Sequence, residues 1–394
     1  MWEDGPGVSR GFLRLLAAQS ISSLGDWLAT FALMALALDL SGSATAVGGV
    51  LVLRLAPAGL AGPVVGWVGA RFGRRHLLPA LDLVRAAAVA AIPLVDALWW
   101  LYGWMLLMET ATVVAAAARD ASIRDLVPVD TIHLANGAMM GASYGAIPLG
   151  AAAFTILGVT VPRAAEVALW VDAGTFLVSS VLVSGIGELP SRPDLSPSRE
   201  TVGGALRIPL VRRALPPLVA ASVGIGTLFS LGIGYAEDVL GADEAQFGLL
   251  VVGFGVGAVA GLGLVRRLGA RLATVRVGVA TMGSVLVVMG LVPRLDVAFL
   301  AAALFGAAGA SSVLSGLTRV QTDLEAGDRL VALGAFHVGV RLALAVGALA
   351  AGVAHDLTSG LVQQPARAVL VGAGLVVLLS AGAMAVPVSE AAEG

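Results

Sequence analysis

Apolar runs long enough to cross a bilayer alternate along this chain with short segments where most of the charge collects. A membrane-spanning helix needs about 20 largely apolar residues, and windows of that length mark twelve spans. The first six read Leu13–Leu38, Ala44–Val68, Leu77–Val95, Leu98–Ala118, Gly137–Thr160 and Val167–Ile186. The second six read Leu218–Ala236, Phe247–Val265, Val277–Val292, Val297–Leu317, Val331–Val353 and Ala368–Val386. The pattern predicts an all-α integral membrane protein. Its first span reads as a retained helix, because it is long, follows acidic Glu3 and Asp4, and is followed at once by a second span.

The arginines orient the spans. With the N-terminus inside, eighteen of them, from Arg10 to Arg329, fall in inner segments, and only Arg163, Arg294 and Arg367 fall outside. That asymmetry predicts a multi-pass protein of the cell membrane with both termini cytoplasmic. The longest polar segment, 188–217, contains Leu189-Pro190-Ser191-Arg192-Pro193 and reads as a cytoplasmic linker between a six-helix half at 1–187 and another at 218–394. The halves repeat each other. Arg71-Phe72-Gly73-Arg74-Arg75 matches Arg267-Leu268-Gly269-Ala270-Arg271 at an offset of 196, and Asp125-Leu126 with Asp130 matches Asp323-Leu324 with Asp328 at 198.

Composition narrows the function. The chain is 58% apolar and 13% charged, with mean hydropathy +0.93, whereas soluble domains carry about 25% charged residues. Soluble enzymes and nucleic-acid modules are excluded. No cysteine is present, so no disulfide or thiolate metal site is available, and no P-loop or H-E-x-x-H motif occurs. The expectation is a monomer in contact with membrane lipids, with no cofactor, no metal, no nucleic acid and no enzymatic activity.

Gly66-Trp67-Val68-Gly69-Ala70-Arg71-Phe72-Gly73-Arg74-Arg75 resembles the signature loop between spans 2 and 3 of the major facilitator superfamily. The resemblance implies two pseudo-symmetric six-helix halves around a midplane site. It implies gating roles for Gly66, Ala70, Arg71, Gly73, Arg74 and Arg75, and for Arg267, Gly269 and Arg271 in the second copy. Ala70 departs from the pattern, since the family has there an acid that helps latch the halves. A narrower similarity, to the macrolide-efflux and enterobactin-exporter branch, lies in Gln19-Ser20-Ile21-Ser22-Ser23-Leu24-Gly25-Asp26-Trp27, Leu53-Arg54-Leu55-Ala56-Pro57, Leu81-Asp82-Leu83-Val84-Arg85, Leu126-Val127-Pro128 leading to Ala135-Asn136, and Val171-Asp172-Ala173-Gly174-Thr175-Phe176. It implies a proton-driven exporter of drugs or siderophores.

Charges embedded in spans single out the candidate chemistry. An ionisable group near mid-bilayer costs about 2.5–3.5 kcal/mol, so each needs a partner, a wet cavity or a function. Counted along the helix, Asp26 lies roughly 20 Å into span 1, Glu109 about 16 Å into span 4, and Arg54 and Arg341 about 15 Å into spans 2 and 11. Asp26 and Glu109 are candidate proton carriers, with His337 as a third, one helical turn from Arg341. The alternative for Asp26 is a static ion pair with Arg54 on the adjacent span. Arg54, Arg341, Asp172, Ser311 and Ser315 are candidates to line a substrate cavity. Asp82 and Arg85, three apart on one helix face near the cytoplasmic end, are expected to pair and to gate. Spans 7 to 12 hold no embedded carboxylate, which assigns proton coupling to the first half.

Two glycine patterns are read as helix contacts: Gly141-xxx-Gly145, in preference to the serine-hydrolase pattern that Gly141-Ala142-Ser143-Tyr144-Gly145 also fits, and the ridge Gly253, Gly257, Gly261. The function expected is a secondary active exporter that trades protons for an amphipathic small molecule. The competing reading is a protein that does not pump, either a lipid flippase or scramblase or a transport-inactive secretion partner.

Overall fold

The first helix, α1 (Arg10–Ser41), begins where the Ser9 hydroxyl accepts the Phe12 amide at 3.0 Å, and it stops at Gly42, whose φ of 64° suits a residue without Cβ. The computed structural model describes residues 9–55, 57, 62–69, 71–128, 131–187, 189, 207–269, 271–324 and 326–383. After α1 come α2 (Ala44–Leu55), α3 (Gly62–Gly69), α4 (Arg74–Ala91), α5 (Leu98–Leu126), α6 (Ile132–Thr160) and α7 (Ala164–Ser184). Then follow α8 (Pro209–Gly234), α9 (Glu244–Leu268), α10 (Leu272–Leu291), α11 (Leu295–Asp323), α12 (Ala326–Thr358) and α13 (Pro365–Ala383). Among the described residues no strand occurs, and eleven helices are long and apolar enough to cross a membrane. The twelfth expected span, Ala44–Val68, corresponds to the shorter helices α2 and α3, with residues 56 and 58–61 between them outside the described set.

The expected linker is shorter on its second side. Helix α8 starts at Pro209, so Pro209–Pro217 are helical rather than linking. Proline tolerates the first turn of a helix because its missing N–H has no acceptor there.

The residues group into two compact units. One comprises Met1–Gly42 and Leu53–Arg199, the other Ser43–Val52 and Glu200–Gly394. Within the first, α1 packs on α6 and α7, and α4 on α5 and α7. Within the second, α8 packs on α12 and α13, and α10 on α11 and α13. These pairings repeat in the same chain order, so the duplication read from two loops is also a duplication of packing.

The first part of α2 packs inside the second unit, where side chains anchor it. Asp356, near the end of α12, accepts the Ser43 hydroxyl at 2.5 Å and the Ala44 and Thr45 amides at 3.2 and 3.0 Å. A carboxylate over a helix N-terminus satisfies amides that have no partner within the helix. The Ser230 hydroxyl of α8 donates to the Ala44 carbonyl at 3.2 Å. Gly48 faces Ala348, where a Cβ would come within 2.7 Å of the carbonyl oxygen.

The ridge on α9 is tighter still. A Cβ on Gly257 or Gly261 would strike the backbone carbonyls of Ala303 and Ala307 on α11, and would lie 2.8 and 2.9 Å from their Cα atoms. Gly253 is looser, with its nearest neighbour at 3.8 Å. Backbone cannot swing aside as a side chain can, so we expect Gly257→Ala to destabilise the protein by about 1–3 kcal/mol. Thermal unfolding in detergent reads this directly, and a variant as stable as the parent would contradict the seam. The other pattern differs: a Cβ on Gly141 or Gly145 would meet nothing within 4 Å among the described residues, so the helix contact expected of these glycines is not seen there. On the same helix it is Gly150 that packs closely, with a Cβ there 2.8 Å from the Leu28 amide nitrogen of α1.

Candidate functional site

The embedded charges of the first unit fall into four groups. In the first, Arg54 Nη1 donates to Glu109 Oε1 at 2.8 Å, and the Glu109 side chain is only 5% exposed. The other guanidinium nitrogen donates to the Asp26 backbone carbonyl at 3.2 Å, and the guanidinium sits 5.7 Å from the Trp27 ring centre. This corrects the expectation on both sides. Arg54 is not the ion-pair partner of the Asp26 carboxylate; it pairs with Glu109, whose partner the sequence did not disclose. The Asp26 carboxylate is half-buried and accepts no hydrogen bond among the described residues.

The second group centres on Asp172, which is completely buried between α7 and α1. Thr175 donates to its Oδ1 at 3.1 Å, and its Oδ2 has no hydrogen-bond partner.

The third group was not anticipated. Gln19 on α1 accepts from Arg119 on α5, and its amide nitrogen reaches the Ser23 and Ser143 hydroxyls at 2.7 and 2.8 Å. Trp27 adds a bond from Nε1 to the Ser143 carbonyl at 3.0 Å. Arg119 lies just past the end of the expected span 4 at Ala118, and α5 continues through it to Leu126. The usable signal was the spacing of Gln19, Ser23 and Asp26, which places all three on one face of α1.

The fourth group lies on α4 and α7. Arg85 bonds Asp82 within α4, as its spacing predicts. Ser179 of α7 donates to the other Asp82 oxygen at 2.7 Å, and Arg85 covers the Phe176 ring at 4.2 Å. Asp82 thus takes donors from α4 and α7, while the Arg85 Nε is buried with no hydrogen-bond partner among the described residues. Nearby, Arg74 pairs with Asp125 at 2.7 Å and is itself only 3% exposed. Thus one arginine of the first loop copy is tied to the acid of the other repeated motif. Arg71 instead stacks over Trp67 at 4.2 Å, and Arg75 is exposed.

The two copies of the Arg-x-Gly-x-Arg loop differ in detail. Gly269 has φ 78°, a conformation that requires glycine, whereas Gly73 precedes α4 in an extended conformation with φ −72° and is buried. Arg267 and Arg271 are exposed. Ala70 lies outside the described residues, as do the surroundings of Gly66 and the side chain of His337.

In the second unit Arg341 is exposed on α12. The candidate serines Ser311 and Ser315 are buried on α11, as is Ser312. Ser311 bonds the Ala308 carbonyl at 3.1 Å, Ser312 bonds the same carbonyl at 2.7 Å, and the Ser315 hydroxyl has no hydrogen-bond partner among the described residues. A hydroxyl that bonds back to a carbonyl about one turn earlier is satisfied within its own helix. No group of three or more metal-ligating side chains occurs among the described residues.

Comparison with known proteins places this geometry. A family model described as Major Facilitator Superfamily matches residues 15–236, more than half of the chain. An uncharacterized MFS-type transporter of Bacillus subtilis strain 168, YfiS, is 28% identical over 184 residues. That match spans 44% of this chain and 42% of the relative, less than half of either. Solved structures match far more widely. The POT family transporter PepTSo gives a TM-score of 0.76 at 12% identity, covering 96% of this chain and 97% of that one. A bacterial homolog of the human lysosomal transporter Spinster gives 0.75 at 13% identity, covering 95% of each chain. The nucleoside transporter NupG gives 0.74 at 10% identity, covering 95% of this chain and 98% of its own. At such identities the likeness is one of fold.

Proposed function

The chain belongs to the Major Facilitator Superfamily, and from that premise we propose that it is a secondary active exporter of the cell membrane, with cytoplasmic termini, trading protons for an amphipathic small molecule. The observation that carries this reading is the contrast between the first unit's acids. Glu109 is paired with Arg54 and Asp82 with Arg85, while the carboxylate of Asp26, on the same helix face as Gln19 and Ser23, accepts no hydrogen bond among the described residues. A proton carrier must alternate between neutral and ionised forms, which a locked ion pair resists and an unheld carboxylate permits. The outward direction and the drug or siderophore class follow from the similarity of the Gln19–Trp27, Leu53–Pro57 and Val171–Phe176 segments to the macrolide-efflux and enterobactin-exporter branch.

Proteoliposomes with an imposed pH gradient, offered a panel of cationic and anionic amphipathic compounds, test the reading. At least one compound should be accumulated only while the gradient lasts. Movement that ignores the gradient for every compound would favour the flippase or scramblase alternative.

A further inference from the structure

Asp172 is a fully buried acid of the first unit that no basic side chain bonds among the described residues. Its exposure is 0%, and its Oδ2 has no hydrogen-bond partner among them. The donor to Oδ1, the Thr175 hydroxyl, is shared with the Asp172 backbone carbonyl at 2.8 Å. Helix α1 closes over this carboxyl at Gly25. A Cβ there would collide with Asp172 Oδ1 and the Thr175 hydroxyl, and would lie 2.9 Å from Thr175 Cγ2. Glycine at 25 thus brings the backbone of α1 onto the carboxyl and sets Asp26 one residue away.

The charged groups that act on Asp172 are Asp26 from α1, Arg54 from α2 and Arg85 from α4. Neither arginine bonds it, because Arg54 is engaged with Glu109 and Arg85 with Asp82. Arg54 and Arg119 act on Asp26 as well, without a bond to its carboxylate. Two neighbouring carboxylates that no cation bonds cannot both hold a charge cheaply, and a charge on an unpartnered buried oxygen is costlier than a neutral acid.

We propose that Asp172 is a proton-binding site and that it forms, with Asp26, an acid pair holding one proton. In the exchange step the O–H bond on Asp172 breaks and one forms on an Asp26 carboxylate oxygen, so the pair keeps one proton and one negative charge throughout. Asp172 is the enclosed store, and the half-buried Asp26 is the member that passes the proton on. This inference rests on the proton-antiport reading for its role in transport, although proton occupancy at Asp172 can be measured without it.

Infrared spectroscopy on reconstituted wild-type protein, with aspartate isotopically labelled in its side-chain carboxyl, reads that occupancy. The expected result at neutral pH is the carbonyl stretch of a protonated aspartic acid, absent from Asp172→Asn. No protonated aspartate in the wild type, or the same band persisting in Asp172→Asn, overturns the proposal. In transport, Asp172→Asn should lose gradient-driven accumulation and keep cargo-for-cargo exchange; wild-type accumulation in a folded Asp172→Asn would also overturn it. If the wild type itself ignores the gradient, the antiport reading fails, and the infrared band still decides whether Asp172 holds a proton.

Discussion

Arg54→Met is expected to lower the stability of the protein by about 3–5 kcal/mol, because it strands Glu109 as a buried charge without its cation. The ion pair is direct, at 2.8 Å, and Glu109 is nearly enclosed while Arg54 keeps 15% of its side chain exposed. That residual exposure places the effect toward the lower end of the range. The test of mechanism is the double variant. Glu109→Gln in the Arg54→Met background removes the stranded charge and should recover most of the loss, since a neutral amide is cheaper to bury than a carboxylate. Thermal unfolding of the parent, both single variants and the double variant in the same detergent closes the cycle. If the double variant is no more stable than Arg54→Met, the two side chains are not energetically coupled, and Arg54 acts through its bond to the Asp26 carbonyl or its contact with Trp27.

Asp26→Asn should behave oppositely: the fold should be kept and uphill transport lost. Arg54 keeps its ion pair with Glu109 after this change, because its hydrogen bond to Asp26 is to the backbone oxygen. The amide cannot release a proton, so the variant is frozen in one form of the cycle. Cargo accumulation against a gradient should fall to the level without a gradient, while downhill exchange continues. Glu109→Gln gives the contrast, with its main penalty appearing in expression and melting temperature. Equal loss of accumulation in both variants, at full stability, would place the proton on the Arg54–Glu109 pair instead.

The features legible in the sequence are those fixed locally. The arginine asymmetry, the repeated loops and the Asp82–Arg85 pair all depend on residues close in the chain, and a spacing of three on a helix brings side chains together whatever the tertiary context. Arg54 and Glu109 are 55 residues apart, and nothing in either segment names the other. The two glycine patterns make the same point. Gly257 and Gly261 have the spacing of Gly141 and Gly145, yet among the described residues only the first pair meets a neighbouring backbone. Spacing defines a face of a helix, whereas the helix that covers it is decided by the packing of the whole unit. Arg119 shows a different limit: hydropathy marks where the apolar window ends, and α5 continues past it because alanine, serine and arginine in that stretch sustain a helix as well as apolar residues do.

The central claim, that cargo and protons move in exchange, is tested most directly by loading proteoliposomes with a pH-sensitive dye, imposing a pH gradient and adding cargo. The account predicts that cargo accelerates the collapse of the gradient in the wild type and leaves it unchanged in Asp26→Asn. Cargo that crosses the wild-type membrane with no change in proton flux would contradict it.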